Sequence, residues 1–138
     1  MDNKKILIID DDPDVRLGLH VRLKANHYDV FFAADGVASI AEARKHTPDL
    51  ILLDLGLPAG DGFAVMERLK ATDILSLIPV IVVSARDRNI NMERALKAGA
   101  KAFLQKPVDN AQLLAVIRKV LGEPALPQKR VVHDLGSI

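Results

Sequence analysis

Leu50-Ile51-Leu52-Leu53-Asp54-Leu55-Gly56-Leu57-Pro58-Ala59-Gly60-Asp61-Gly62 is the stretch on which the reading of the fold turns. Four aliphatic residues run into a single carboxylate, and the chain then passes Gly56, Pro58, Gly60 and Gly62, none of which suits a continuing strand. A short apolar run bounded in this way reads as a parallel strand buried on both faces, whose last residue is the first to meet solvent. That residue is Asp54. Taken alone, a carboxylate at the end of an apolar strand is more often a cap or turn residue than a catalytic one, so the rest of the chain has to decide its role.

Working outward, the same design recurs. Ile6 to Ile9 is a short aliphatic strand that empties into Asp10, Asp11, Asp12, Pro13 and Asp14. Pro13 suits the first turn of a helix, the flanking acids suit its dipole, and Val15, Leu19 and Leu23 recur at helical spacing. A cap explains Asp12 or Asp14 well. It explains three consecutive acids poorly, because one side chain suffices and the others only repel each other. Val30 to Ala34 is the second strand, and Asp35-Gly36 opens a helix carrying Val37, Ile40, Ala41 and Ala43 to about Lys45. After Leu50 to Asp54, Asp61 is expected to cap a helix with Phe63, Met66 and Leu69 on one face. Val80 to Val83 is a fourth strand closing on Ser84, and Asp87 to Asn91 leads into a helix with Met92, Ala95 and Leu96, stopped by Gly99 as a left-handed cap. Ala102 to Gln105 is the fifth strand, ended by Lys106-Pro107, and Asp109 caps a last helix with Leu113, Leu114, Ile117 and Leu121. Strict alternation of strand and helix predicts an α/β fold, a parallel sheet covered on both faces, with ligands gathered at the carboxyl ends of the strands.

Composition bounds the function. The 138 residues suit one domain, and 49% hydrophobic with only 4% aromatic residues implies an aliphatic core. No apolar run approaches the ~20 residues of a membrane span, Lys4 and Lys5 precede too short a run for a signal peptide, and the expected location is the cytoplasm. The absence of cysteine removes disulfides and thiolate chemistry, and a net charge of +1 makes no electrostatic case for nucleic acid.

The predicted strand ends carry Asp10 and Asp11, Asp54, Ser84 and Lys106. Carboxylates gathered at one edge ionise together only if a cation joins them. Oxygen ligands without histidine or thiolate favour magnesium. A metal-bound acid cluster beside an ammonium and a hydroxyl describes phosphoryl transfer, with Lys106 neutralising transferred oxygens and Asp54 as the nucleophile.

Ile-Leu-Ile-Ile-Asp-Asp-Asp-Pro at 6 to 13, Asp-Leu-Gly-Leu-Pro-Ala-Gly-Asp-Gly at 54 to 62, Val-Val-Ser-Ala at 82 to 85 and Phe-Leu-Gln-Lys-Pro at 103 to 107 resemble the receiver domain of bacterial two-component response regulators. The resemblance covers roughly residues 4 to 122. It implies a flavodoxin-like, doubly wound sheet of strand order 2-1-3-4-5 with five helices in three layers. It also implies that Asp54 takes a phosphoryl group from a histidine kinase or phosphotransfer protein, and that magnesium is bound by Asp10, Asp11, Asp54 and the Gly56 carbonyl. Ser84 becomes the switch hydroxyl, Phe103 the switch aromatic and Lys106 the phosphate-binding ammonium. The face formed by helix 4, strand 5 and helix 5 would dock an output domain or a second copy, and no enzymatic activity is implied beyond self-catalysed phosphorylation and dephosphorylation.

Departures from the family pattern are small. Leu57 stands where many members carry methionine, and Ser84 replaces the commoner threonine while keeping the hydroxyl. Gly56 and Arg86 occupy the positions that set phosphoryl lifetime, which is left open. Residues 1–122 are read as the receiver and 123–138, opening with Glu123-Pro124, as a linker or tail.

Rival readings differ at named residues. A nucleotide-binding flavodoxin-like module needs hydrogen-bond donors after strand 1, where three aspartates stand. A haloacid-dehalogenase-like phosphatase needs an acid two residues after its nucleophile, where Gly56 stands. The remaining alternative is a receiver-like partner-binding module that is never phosphorylated.

Overall fold

The structure is a computed structural model, and it describes residues 2–57 and 62–124. The expected positions of Asp61 as a helix cap, and of most of the tail, lie outside the described residues.

Five strands, β1 (Lys5–Ile9), β2 (Asp29–Ala33), β3 (Leu50–Leu53), β4 (Val80–Ser84) and β5 (Ala102–Gln105), form one parallel sheet in the order β2-β1-β3-β4-β5. Between and after them run α1 (Pro13–Ala25), α2 (Gly36–His46), α3 (Gly62–Lys70), α4 (Arg88–Lys97) and α5 (Asn110–Leu121). The order expected from the family resemblance is the one observed. A single 3₁₀ turn at Leu75–Leu77, which no periodicity in the sequence announces, precedes β4.

The continuous aliphatic strands are explained by two cores. Ile6 and Ile8 face one, with Leu50, Leu52, Ile81, Val83 and Leu104, closed by Leu23 of α1 and by Leu113 and Ile117 of α5. Leu7 and Ile9 face the other, with Ile51, Leu53, Val82 and Phe103, closed by Ile40, Met66, Leu69 and Ala95 of α2, α3 and α4. Alternate residues of each strand thus serve opposite layers. Each fully buried leucine or isoleucine contributes about 1.5–3 kcal/mol, so the central strands are held from both sides.

Helix starts are written in aspartate. Asp12, Asp35, Asp87 and Asp109 each accept a backbone N–H from the first turn of α1, α2, α4 and α5. The cap reading therefore holds for Asp12, which accepts from Asp14 N and Val15 N, and leaves Asp10 and Asp11 for other work. Gly99 takes φ +110° just past α4, as a left-handed stop requires.

Helix faces needed correction. Val37 is 71% exposed and Ala41 also faces solvent, the buried stripe of α2 being Gly36, Ser39, Ile40 and Ala43. Ser39 can be buried because its hydroxyl donates to the Gly36 carbonyl at 2.6 Å. In α4 only Ala95 is buried, Met92 is half-buried and Leu96 is exposed. An apolar side chain one position off the stripe is turned by about 100° and misses the core.

Candidate functional site

In a parallel sheet all carboxyl ends lie along one edge, and here pairing persists one residue past the strands. Asp10 N donates to the Ala33 carbonyl at 3.1 Å and Asp54 N to the Ile9 carbonyl at 2.9 Å, so the two aspartates emerge side by side from β1 and β3. On the far side Lys106 N donates to the Ser84 carbonyl at 2.8 Å, which ties the end of β5 to that of β4.

The side chains converge. Carboxylate oxygens of Asp10, Asp11 and Asp54 all lie within 4.8 Å of one another. Lys106 Nζ sits 2.7 Å from Asp10 Oδ2 and 3.5 Å from Asp54 Oδ2. Asp10 is 3% exposed and Asp54 8%, whereas Asp11 is open to solvent. Asp10 Oδ1 accepts from Asp12 N at 2.9 Å, and Asp54 Oδ1 from Gly56 N at 3.1 Å. One ammonium reaches two of the three carboxylates, and the balance shows in the titration of Asp10 and Lys106. Burial pushes Asp10 above its ordinary 3.8 and the Asp54 charge adds to this, although Lys106 and the Asp12 N–H oppose it. For Lys106, burial pulls downward, but the hydrogen bond and charge of Asp10 and the charge of Asp54 outweigh it and hold the ammonium above 10.5.

The other expected residues occupy different places. Ser84 is fully buried at the end of β4, and its hydroxyl oxygen accepts from Arg86 N at 3.2 Å, so it closes its own loop. Phe103 is 3% exposed and packed in the α2–α4 core, paired in register with Val82. Asp10, Asp11, Asp54 and Lys106 form one cluster, with Ser84 on the neighbouring strand end and Phe103 within the core.

Two contributors escape a sequence reading. A Cβ on Gly62 would come within 2.7 Å of the Asp54 carbonyl oxygen and 2.8 Å of Leu55 Cα, so this glycine lets α3 begin against the backbone of Asp54. A Cβ on Gly56 would meet Asp54 Oδ1 only at 3.7 Å, an ordinary contact. Arg16, on α1, donates from Nη1 to the Asp10 carbonyl at 2.9 Å. Its only sequence signal is a cation in the first turns of a helix, against the dipole.

A groove of about 510 Å³ runs beside the cluster, between the first turns of α1 and the loop after β5, lined by Val15, Leu19, Ala85, Lys106, Pro107 and Val108 among others.

A two-faced parallel sheet with an acid cluster and one lysine at its carboxyl edge defines a doubly wound α/β module whose ligand site lies at that edge. The family model of the response regulator receiver domain matches residues 6–118, and the chain belongs to that family. It is 39% identical over 117 residues to the response regulator PleD of Caulobacter vibrioides, across 84% of this chain and 26% of PleD. It is 35% identical over 117 residues to protein PilH of Pseudomonas aeruginosa, across 85% of this chain and 97% of PilH. Among solved structures, the receiver domain of a sensor histidine kinase from Pseudomonas aeruginosa PAO1, with a magnesium ion coordinated in its active site cleft, superposes with a TM-score of 0.80 at 27% identity. That likeness covers 88% of this chain and 99% of the other. The chain thus spans about a quarter of PleD and nearly all of PilH. Among the described residues no helix is long and apolar enough to cross a membrane.

Proposed function

We propose that Asp54 accepts a phosphoryl group from a phosphohistidine on a sensor kinase or phosphotransfer protein, and that this switches the face formed by α4, β5 and α5. The observation that carries the reading is the meeting of Asp10, Asp11 and Asp54 within 4.8 Å with Lys106 Nζ reaching two of them. No capping or packing role calls for that arrangement.

An all-oxygen cluster with more carboxylates than cations fits a hard divalent ion, and Asp10, Asp11, Asp54 and the Gly56 carbonyl would hold magnesium. Bound there, the ion would neutralise charge on the phosphoryl oxygens. Asp54 supplies the nucleophile: a carboxylate lone pair forms the new O–P bond as the P–N bond to the donor imidazole breaks, and the imidazole keeps that electron pair and takes up a proton. The Gly56 N–H on Oδ1 orients the carboxylate, and Lys106 is placed to meet the transferred oxygens as they arrive. Ser84, on the next strand end, would donate its hydroxyl proton to one of those oxygens.

The groove suits a helical donor protein, since it is apolar at Val15, Leu19 and Val108 and is bordered by Lys106, which reaches the acceptor. The α4–β5–α5 face is read as the surface for an output domain or a second copy. Residues 1–122 are read as the receiver, supported by the left-handed Gly122 that closes α5, with 123–138 as linker or tail, no direct contact with nucleic acid and a cytoplasmic site of action.

Intact-mass spectrometry with magnesium and acetyl phosphate tests the chemistry. One phosphoryl group should appear on the wild type, and none on Asp54→Asn or with excess chelator. Undiminished labelling of Asp54→Asn would overturn the assignment, and an unlabelled wild type would favour a partner-binding module that is never phosphorylated.

A further inference from the structure

We infer that Arg16 is a positioning residue for the magnesium-binding acid pair, an inference that rests on the proposed use of Asp10 and Asp11 as ligands. Asp10 to Asp12 link β1 to α1, and their hydrogen bonds can be followed group by group. Asp10 N donates to the Ala33 carbonyl, its Oδ1 accepts from Asp12 N, and its Oδ2 faces Lys106. The Asp12 side chain caps α1. Of the carbonyls in this link, Arg16 takes those of Asp10 and Asp12, the first with its side chain and the second with its backbone. Its Nη1 donates to the Asp10 carbonyl at 2.9 Å and its backbone N–H to the Asp12 carbonyl at 3.0 Å.

The Arg16 side chain thus holds the peptide that leads into Asp11, while its backbone N–H makes the ordinary first-turn bond of α1. Asp11 is exposed, and its side chain has no part in the bonds that hold the loop. The peptide before Asp11 is held in place, and the Asp11 carboxylate is left to turn toward a cation. Helix energetics alone disfavour this choice, because a guanidinium in the fourth position of α1 opposes the positive end of the helix dipole. A local rule broken beside a site, with a specific contact in return, is the signature of a residue kept for the site.

Charge and position make opposite predictions, so they can be separated. If Arg16 acted only through its charge, removing it would ease repulsion of an incoming dication and magnesium would bind more tightly. If it positions the pair, removing it frees the Asp10–Asp11 peptide and magnesium binds more weakly. Outer partners of metal ligands typically carry about tenfold or more in affinity.

Titration calorimetry with magnesium chloride alone, on the full chain, decides the matter. Arg16→Gln should bind about tenfold more weakly than wild type. Arg16→Lys keeps the charge but replaces the planar fork with a point donor, and should show a smaller loss. An affinity for Arg16→Gln equal to or tighter than wild type overturns the inference. Should that variant fail to fold by circular dichroism, Arg16→Lys decides alone, since its net charge is unchanged and an affinity equal to wild type would mean that the contact positions nothing. A wild type that binds no magnesium would instead bring down the ligand assignment, and this inference with it.

Discussion

Asp54 shows how a site residue can oppose the stability of its own fold. It is 8% exposed, its oxygens lie within 4.8 Å of those of Asp10 and Asp11, and the nearest cation, Lys106, is closer to Asp10. Asp10 bears the cost, its carboxyl held above 3.8 chiefly by burial and further by Asp54. A folded state that keeps a proton the unfolded chain has released loses stability as pH rises, beginning near 3.8 and continuing to the folded pKa. Asp54→Asn removes one repelling charge and should raise the metal-free stability by about 1.4 kcal/mol for each pKa unit relieved, and the melting temperature with it. Differential scanning calorimetry in chelator checks this, and a lower melting temperature for the variant would mark the carboxylate as a structural hydrogen-bonding group. Lys106 works in the opposite sense. Its raised pKa favours the fold at all pH below 10.5, and the contribution is lost only as pH rises through the folded value.

Like α1, whose one buried residue is Leu23, α4 is loosely held. It buries only Ala95, and its Arg94 guanidinium lies 3.7 Å from the centroid of the buried Phe63 ring of α3. Just before it, Ser84 is buried with its hydroxyl spent on Arg86 N, and Phe103 is buried against the same helix layer. A helix with one core anchor can shift at little cost when its leading loop is redrawn. Ser84→Ala should therefore still accept phosphate at Asp54 but fail to move α4, because the lost hydrogen bond is made only in the phosphorylated state and differential interaction is what shifts populations. Amide hydrogen exchange with a phosphoryl mimic should show altered protection across residues 85–103 in wild type alone. An equal response in the variant would place the switch elsewhere.

At the scale of the molecule, the far end of α5 is tied to β2. The Tyr28 hydroxyl donates to Glu123 Oε1 at 2.6 Å, and Arg118 approaches the same oxygen at 4.0 Å while its Nη2 donates to Asn26 Oδ1 at 3.4 Å. Burial, and then the hydrogen bond and charge of Glu123, push Tyr28 up to about 12. Above pH 10 the unfolded tyrosine loses its proton first, so stability should fall between pH 10 and about 12 and level off beyond. Two pKa units correspond to about 2.7 kcal/mol, reduced to about 1–2 kcal/mol because the Glu123 side chain is 25% exposed and water screens the pair. Urea midpoints from pH 9 to 12 on wild type and Tyr28→Phe check it: the variant should lack this part of the decline, and parallel curves would refute the coupling.

What the amino-acid order determined alone is whatever depends on local pattern. Aliphatic runs ending in turn residues located all five strands, aspartates before apolar periodicity located the starts of α1, α2, α4 and α5, and the edge that a parallel sheet must present named Asp10, Asp11, Asp54, Ser84 and Lys106 as a group. Tertiary structure decided what depends on distance and direction. It assigned the cap to Asp12 and not to its two neighbours, turned Val37 and Leu96 to solvent, and made Gly62 a steric requirement through the carbonyl of Asp54. It also brought Arg16 onto the Asp10 carbonyl and Tyr28 onto Glu123, 95 residues away. Periodicity reports which residues share a face, since that follows from the rise and twist of one element. It is silent on which neighbouring element that face meets, because contacts between elements are set by the packing of the whole chain.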